Sequence, residues 1–183
     1  EAAPPRQGLS PAGNEAPQPN GNDDPAPLAG VRVVEMSMYV QGPVCGLTLA
    51  SLGADVVKIE QVGQEDVMRG FSSLFGVTLD DRGKEWIYAS LNRNKRSLAL
   101  DVTSEAGRPV FERLIEQADV FISNMRESAL AKHGADPETL YTGIEGIFTG
   151  GDVYRGPDTV VRALADGRRA ALGIHRYLVE QRV

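Results

Sequence analysis

Short apolar runs and amphipathic stretches alternate from residue 28 onward. VRVVEM, residues 31–36, reads as a strand. GPVCGLTLASLGA, residues 42–54, reads as a helix with Pro43 near its start and Gly53 at its stop. DVVKIE, residues 55–60, is a second short apolar strand. Strand, helix and strand in so short a span form one βαβ unit, which commits the region to a parallel sheet and the chain to the α/β class.

Residues 61–85 have no clean period and read as a long excursion. EWIYASLN, 85–92, fits helix or strand, and SLALDV, 97–102, alternates as a strand. Ser104 caps a helix running toward Ala118, with Val110, Phe111, Leu114 and Ile115 inward; Pro109 makes its first turn irregular or its start late. ADVFIS, 118–123, is a further strand, and RESALAKHG, 126–134, a short helix closed by glycine. GIEGIFTGGD, 143–152, reads as a strand entering a glycine turn. Beyond it Val160, Leu164, Gly167, Ala171, Ile174 and Leu178 recur at helical spacing on one face.

Before residue 28 the pattern vanishes. The first 30 residues hold seven of the eleven prolines and almost nothing apolar larger than alanine, so they cannot recover their ordering entropy by burial. Three segments are expected: a disordered leader over 1–27, an α/β domain over 28–140, and a strand-turn-helix tail over 141–183.

Composition then removes whole function classes. The formal charge of -6 argues against a nucleic-acid binder held by phosphate neutralisation. Cys45, the single cysteine, has no disulfide partner within the chain, and two separated histidines make no metal site. A reducing, cytoplasmic setting fits best. No run approaches 18 to 20 apolar residues, so no membrane span is expected.

The richest polar cluster is NRNKRS, 92–97, just before an apolar strand. Arg93, Lys95 and Arg96 suit either a phosphate or pyrophosphate site or a solvated basic turn. YVQGPVCG, 39–46, follows the first strand, where open α/β sheets place ligands. Gln41 both donates and accepts there, Gly42 lets a ligand approach the backbone, and the helix start offers free N–H groups. The chain has no G-x-G-x-x-G in this first unit and no P-loop anywhere, which disfavours classical NAD, FAD or ATP binding by that unit. Cys45 reads as a small buried helix residue, and His133 and His175 as structural or surface groups. Asp66, Asp101, Asp119 and Asp152 adjoin strand ends or glycine turns, without forming a recognisable dyad.

PLAGVRVVEMS, QGPVCG, LASLGADVVKIE, NRNKRSLALDVTSEAG and ADVFISNMRESALAKHG, in this order over about residues 27–140, resemble the N-terminal part of the family III coenzyme A transferases, the formyl-CoA and carnitine-CoA transferase family. The resemblance implies a Rossmann-like domain, incomplete relative to the full fold, that binds coenzyme A or an acyl-CoA, usually within an interlocked homodimer. The family's ligand-contacting glutamine falls on Gln41, its backbone contact after the basic turn on Leu100, and its asparagine after the fourth strand on Asn124. A downstream arginine becomes Lys132. Two phosphate-contacting cations of the family are replaced, by Gln61 and Thr103. The family exchanges CoA between carboxylic acids through an aspartyl intermediate, and no matching glycine-aspartate segment is present; Asp158 and Asp166 are poor substitutes.

GIEGIFTGGDVYRGPDTVVRALADGRRAALGIHRYL, 143–178, resembles instead the C-terminal FAD-binding segment of flavoprotein reductases such as the glutamate synthase small subunit. That resemblance implies a flavin contact at Asp152 and FAD as an alternative cofactor, without the glycine-rich loop that holds the ADP moiety. Three readings follow: a CoA-binding transferase-like protein without its own nucleophile, a fragment or subunit of an FAD- and NAD(P)H-dependent oxidoreductase, or a non-catalytic interaction module. Open sheet edges and an apolar helix face need cover, so a homodimer or a completing partner subunit is expected, with the chain a fusion, a truncated product or joined pieces of a longer polypeptide.

Overall fold

The computed structural model describes residues 25–71, 73–74, 77–78, 85–124, 136–156 and 158–180. The leader up to residue 24 and the helix expected over 126–134 lie outside these residues. Contacts divide the chain into two compact units, the second beginning at Asn124.

The first unit is built on a four-stranded parallel sheet: β1 (Arg32–Met36), β2 (Asp55–Glu60), β5 (Arg96–Ala99) and β6 (Val120–Ser123), in the order β5-β2-β1-β6. Two-residue strands β3 (Ser73–Leu74) and β4 (Val77–Thr78) form a separate antiparallel ribbon. The helices of this unit are α1 (Gln41–Ser51), α2 (Trp86–Leu91) and α3 (Gly107–Glu116). The ambiguous 85–92 segment is thus a helix. Its Ile87 and Tyr88 pack on Met68, from a single 3-10 turn over Val67–Gly70, and that long-range contact decides what a six-residue pattern cannot.

Helix α1 ends as its sequence dictates: Gly53 takes φ +97, the left-handed conformation that stops a helix cheaply only at glycine. Ser104 caps the approach to α3, its Oγ accepting from the Gly107 N–H at 3.0 Å. The helix starts late, which leaves Pro109 in the first turn, where its missing N–H has no intrahelical partner to lose.

Register determines what lies under α1. Val33 pairs with Val56 and Glu35 with Lys58, and paired residues of parallel strands share a face. Val33, Val56, Ala50 and Ala54 make the apolar part of that layer, with Leu28, Leu49 and Ile122 against it. One step along the same face the layer turns from apolar to charged, at Glu35 and Lys58, both fully buried. On the opposite face Phe111 of α3 meets Phe121 edge to face at 6.0 Å.

The second unit contains α4 (Asp152–Arg155) and α5 (Val160–Glu180). In place of the strand expected over 143–152, a single antiparallel bridge joins Tyr141 to Phe148 across a turn closed by Thr142 Oγ1 donating to the Ile147 carbonyl at 3.0 Å. Tyr141 meets Phe148 at a tilt and Phe148 meets Tyr177 edge to face, with centroids 5.6 and 5.9 Å apart. The buried positions of α5 are Asp166 and Gly173, whereas Val160, Val161 and Leu164 are each at least 71% exposed. The apolar stripe therefore lies off the side that α5 packs.

Gly46 is the tightest point between α1 and the sheet: a Cβ there would land on the Glu35 carboxylate. Replacing glycine by alanine inside a helix ordinarily stabilises it by about 1 kcal/mol. Here the collision reverses the sign, and Gly46→Ala is expected to destabilise the first unit by about 2 to 3 kcal/mol in urea unfolding. A neutral or stabilising result would contradict this packing.

Candidate functional site

In chain order the strands β1, β2 and β5 step outward on one side, and β6 then returns to the other side of β1. The order reverses between β1 and β6, and open α/β sheets bind ligands beyond the carboxyl ends of the strands at such a reversal. The residues after β1 form this edge. Tyr39 adopts φ +67 and is half exposed, Val40 is 44% exposed, and Gln41 opens α1 with its side chain at the surface. No side chain caps α1 and no acid occupies its first turn, so its positive end carries no competing anion of its own.

Beneath that loop lies a cluster of buried charges. Lys58 Nζ donates to Glu35 Oε1 at 3.2 Å, to the Ser37 carbonyl at 2.8 Å and to Asp66 Oδ2 at 3.1 Å. Ser37 Oγ adds a hydrogen bond to Glu35 Oε1 at 2.7 Å. Lys95 Nζ lies 2.7 Å from Glu35 Oε2 and donates to the Pro43 carbonyl and to Asn92 Oδ1, each at 2.8 Å. Asp66 Oδ1 accepts from the backbone N–H groups of Tyr39, at 3.2 Å, and Met68, at 3.1 Å. Two lysines and two carboxylates balance in charge, which is what allows the group to be buried. Burial pushes the Lys95 ammonium below its ordinary pKa, with Glu35 opposing that shift.

A second pair adjoins the first. Glu60 accepts from Arg69 Nε and Nη2 at 3.0 and 2.8 Å and from the Tyr88 hydroxyl at 2.5 Å, while the Asp66 N–H donates to its Oε1 at 3.1 Å. The Arg69 guanidinium also lies 3.6 Å from the Tyr88 ring centroid. Burial alone would raise the Glu60 pKa; the Arg69, Tyr88 and Asp66 donors outweigh it and hold the carboxyl at about 2. Burial and the same carboxylate push the Tyr88 hydroxyl upward.

The residues singled out by sequence are distributed unequally around this edge. Leu100 follows β5 and its N–H is bonded to the Glu60 carbonyl at 3.0 Å. Asn124 directly follows β6 in the chain. Arg93 is exposed on the turn before β5. Lys95 is buried, and the Glu35, Pro43 and Asn92 oxygens surround its ammonium. Arg96 lies at the amino end of β5, in a two-pronged contact with Asp55 at 2.8 and 2.7 Å, away from the carboxyl edge. Three cations that are neighbours in sequence are thus separated in space. Lys132 and His133 lie outside the described residues. Gln61 and Thr103 converge on one carboxylate oxygen, Asp101 Oδ1, at 2.7 Å from the amide and 2.6 Å from the hydroxyl. Those donors, Thr103's hydroxyl first, hold the Asp101 carboxyl below its usual range.

Cys45, expected to be buried, is exposed on α1, because the buried side of the helix runs through Gly42, Pro43, Gly46 and Ala50. Partial removal of its sulfur from water raises the thiol pKa, the Glu35 charge adds to the rise, and the opposing Lys95 charge does not offset them. His175 and Asp152 are exposed. No metal-binding group of acids, cysteines or histidines occurs among the described residues, and no described helix is long and apolar enough to cross a membrane. Sequence reasoning missed Glu35, Lys58, Glu60 and Tyr88. The available signal was the alternation in DVVKIE, which puts Lys58 and Glu60 on the same face as buried Val56.

Residues 28–143 match the model of CoA-transferase family III. The chain is 33% identical over 150 residues to the succinate–glutarate CoA-transferase of Agrobacterium fabrum, covering 76% of this chain and 38% of that protein. It is 36% identical over 119 residues to the succinyl-CoA–D-citramalate CoA-transferase of Chloroflexus aurantiacus, covering 64% and 28%. Among solved structures, a CAIB/BAIF family protein from Brucella suis superposes with a TM-score of 0.55 at 28% identity, over 85% of this chain and 50% of that one. The chain spans well under half the length of these two curated relatives. The flavoprotein likeness of 143–178, and FAD with it, finds no support in these matches.

The Glu60 pair sets an acid limit on stability. Its carboxyl is depressed in the folded state, so its contribution is complete above the ordinary glutamate pKa and is lost as pH falls toward about 2. Glu60→Gln is expected to cost roughly 2 kcal/mol at pH 7, and to flatten the stability profile between about pH 4.5 and 2. Urea unfolding across that range checks both, and an unchanged acid slope would contradict the assignment.

Proposed function

The chain belongs to CoA-transferase family III, and on that premise we propose that its α/β domain binds coenzyme A or an acyl-CoA at the carboxyl edge of the sheet. The observation that carries this reading is the reversal of strand order between β1 and β6, with the uncapped start of α1 and the exposed Gln41 beside it. An anionic ligand gains there from the unpaired N–H groups at the helix start. In this reading Gln41 and the Leu100 backbone contact the coenzyme, and Arg93 supplies charge from its turn. Lys95 acts through the loop it holds, and Arg96 serves the amino end of the sheet.

The reaction class is exchange of CoA between carboxylic acids, with succinyl-CoA the first thioester to try because both relatives named above act on succinate or its CoA ester. Exchange through an aspartyl intermediate needs a free carboxylate nucleophile. Asp158 is engaged by Arg162 at 2.8 Å, and Asp166 is wholly buried and accepts from the Gly151 N–H at 3.2 Å. We therefore read this chain as a coenzyme-binding part that does not complete the transfer alone. Edge strands β5 and β6, with Val120 and Phe121 38% and 47% exposed, and the uncovered stripe on α5 fit a homodimer or a completing partner.

Calorimetric titration at moderate salt tests the reading. Saturable binding of CoA and succinyl-CoA is expected, weakened about five- to tenfold in Gln41→Ala, with no CoA transfer from succinyl-CoA to glutarate by the chain alone. No heat up to millimolar CoA would reject the site, and transfer by the isolated chain would reject the division of labour.

A further inference from the structure

We propose that Lys58, Lys95 and Asp66 are positioning residues that hold the loop between β1 and α1 in its ligand-binding shape, an inference that rests on the coenzyme site proposed above. Their polar atoms meet the backbone of the loop and of the first turn of α1 at three points. Lys58 Nζ holds the Ser37 carbonyl at 2.8 Å, Asp66 Oδ1 holds the Tyr39 N–H at 3.2 Å, and Lys95 Nζ holds the Pro43 carbonyl at 2.8 Å. Val40, Gln41 and Gly42 lie between the second and third of these points.

Side-chain burial does little to fix the outer part of the loop. Tyr39 and Val40 are 51% and 44% exposed and Gln41 is at the surface, so burial of their side chains contributes little. Tyr39 adopts φ +67, a region that bulky residues occupy only where their surroundings impose it. No side chain caps α1 to fix the entry angle of the chain. The backbone bonds from below therefore supply positioning that these exposed side chains do not.

Those three residues come from separate parts of the sequence: β2, the excursion after it, and the turn before β5. Glu35 joins them, its Oε1 to Lys58 and its Oε2 to Lys95. A buried ion network of this kind is a poor way to gain stability, since well-packed apolar residues commonly do as well. What apolar residues cannot do is donate to Ser37 and Pro43 or accept from Tyr39. The network's distinctive product is the loop's shape, and through it the placement of Gln41 and the start of α1.

The test uses charge-balanced pairs, so that no buried ion is left alone. Glu35→Gln/Lys95→Met removes the hold on Pro43, and Lys58→Met/Asp66→Asn removes the donor to Ser37. Each is compared with the unaltered chain by amide hydrogen exchange and by CoA calorimetry. In a pair that folds, exchange of amides 38–42 is expected to accelerate at least tenfold while amides 33–35 and 56–58 keep their protection, and CoA affinity to fall about tenfold. Unchanged loop exchange or unchanged affinity in a folded pair would overturn the proposal. Failure of both pairs to fold would also overturn it, in favour of a purely structural role. Absence of CoA binding by the unaltered chain would instead reject the coenzyme site, and loop exchange would then decide alone whether the clamp exists.

Discussion

Glu35, wholly buried between the ammonium groups of Lys58 and Lys95, is the interaction on which the first unit is organised. A lone carboxylate at that depth would be neutralised or would unfold its surroundings. Two lysines and Asp66 make it tolerable, and the demand for all four brings together β1, β2, the turn after β2 and the turn before β5. Gly46 follows from the same requirement, because α1 must approach the sheet closely enough that only hydrogen fits above the carboxylate. Glu60 continues the charged layer along the same strand, and its donors Arg69 and Tyr88 anchor the 67–70 turn and α2 to the sheet.

The local elements were legible wherever the period was long enough to be unambiguous. Both βαβ strands and α1 fall within a few residues of their sequence reading, since alternating valines, Pro43 and Gly53 each have one local meaning. The site was harder to read. NRNKRS presents three cations close together, but only Arg96 lies in β5, and the turn before the strand sends the other two elsewhere. Lys95 turns in toward Glu35, and Arg96 turns out toward Asp55. Asp66, the partner that completes the charge balance, comes from a stretch with no period at all. No window of sequence contains both it and Lys95, so tertiary pairing had to supply the network.

The second unit shows the converse case. Helical spacing correctly gathered Val160, Leu164 and Ile174 on one side of α5, yet periodicity does not say what covers that side. The helix packs through Asp166, Gly173 and Tyr177 instead. Gly173 leaves room for the Thr139 carbonyl, and Asp166 accepts from Gly151, so small and polar positions make the close contacts.

The most direct test of a coenzyme site at the carboxyl edge is to titrate CoA into isotopically labelled chain and follow the backbone amide resonances. The account expects the largest shifts over 38–46, with smaller ones over 99–103 next to the ends of β2 and β5. Shifts confined to the amino edge around Asp55 and Arg96, or to α5, with amides 38–46 unmoved, would contradict it.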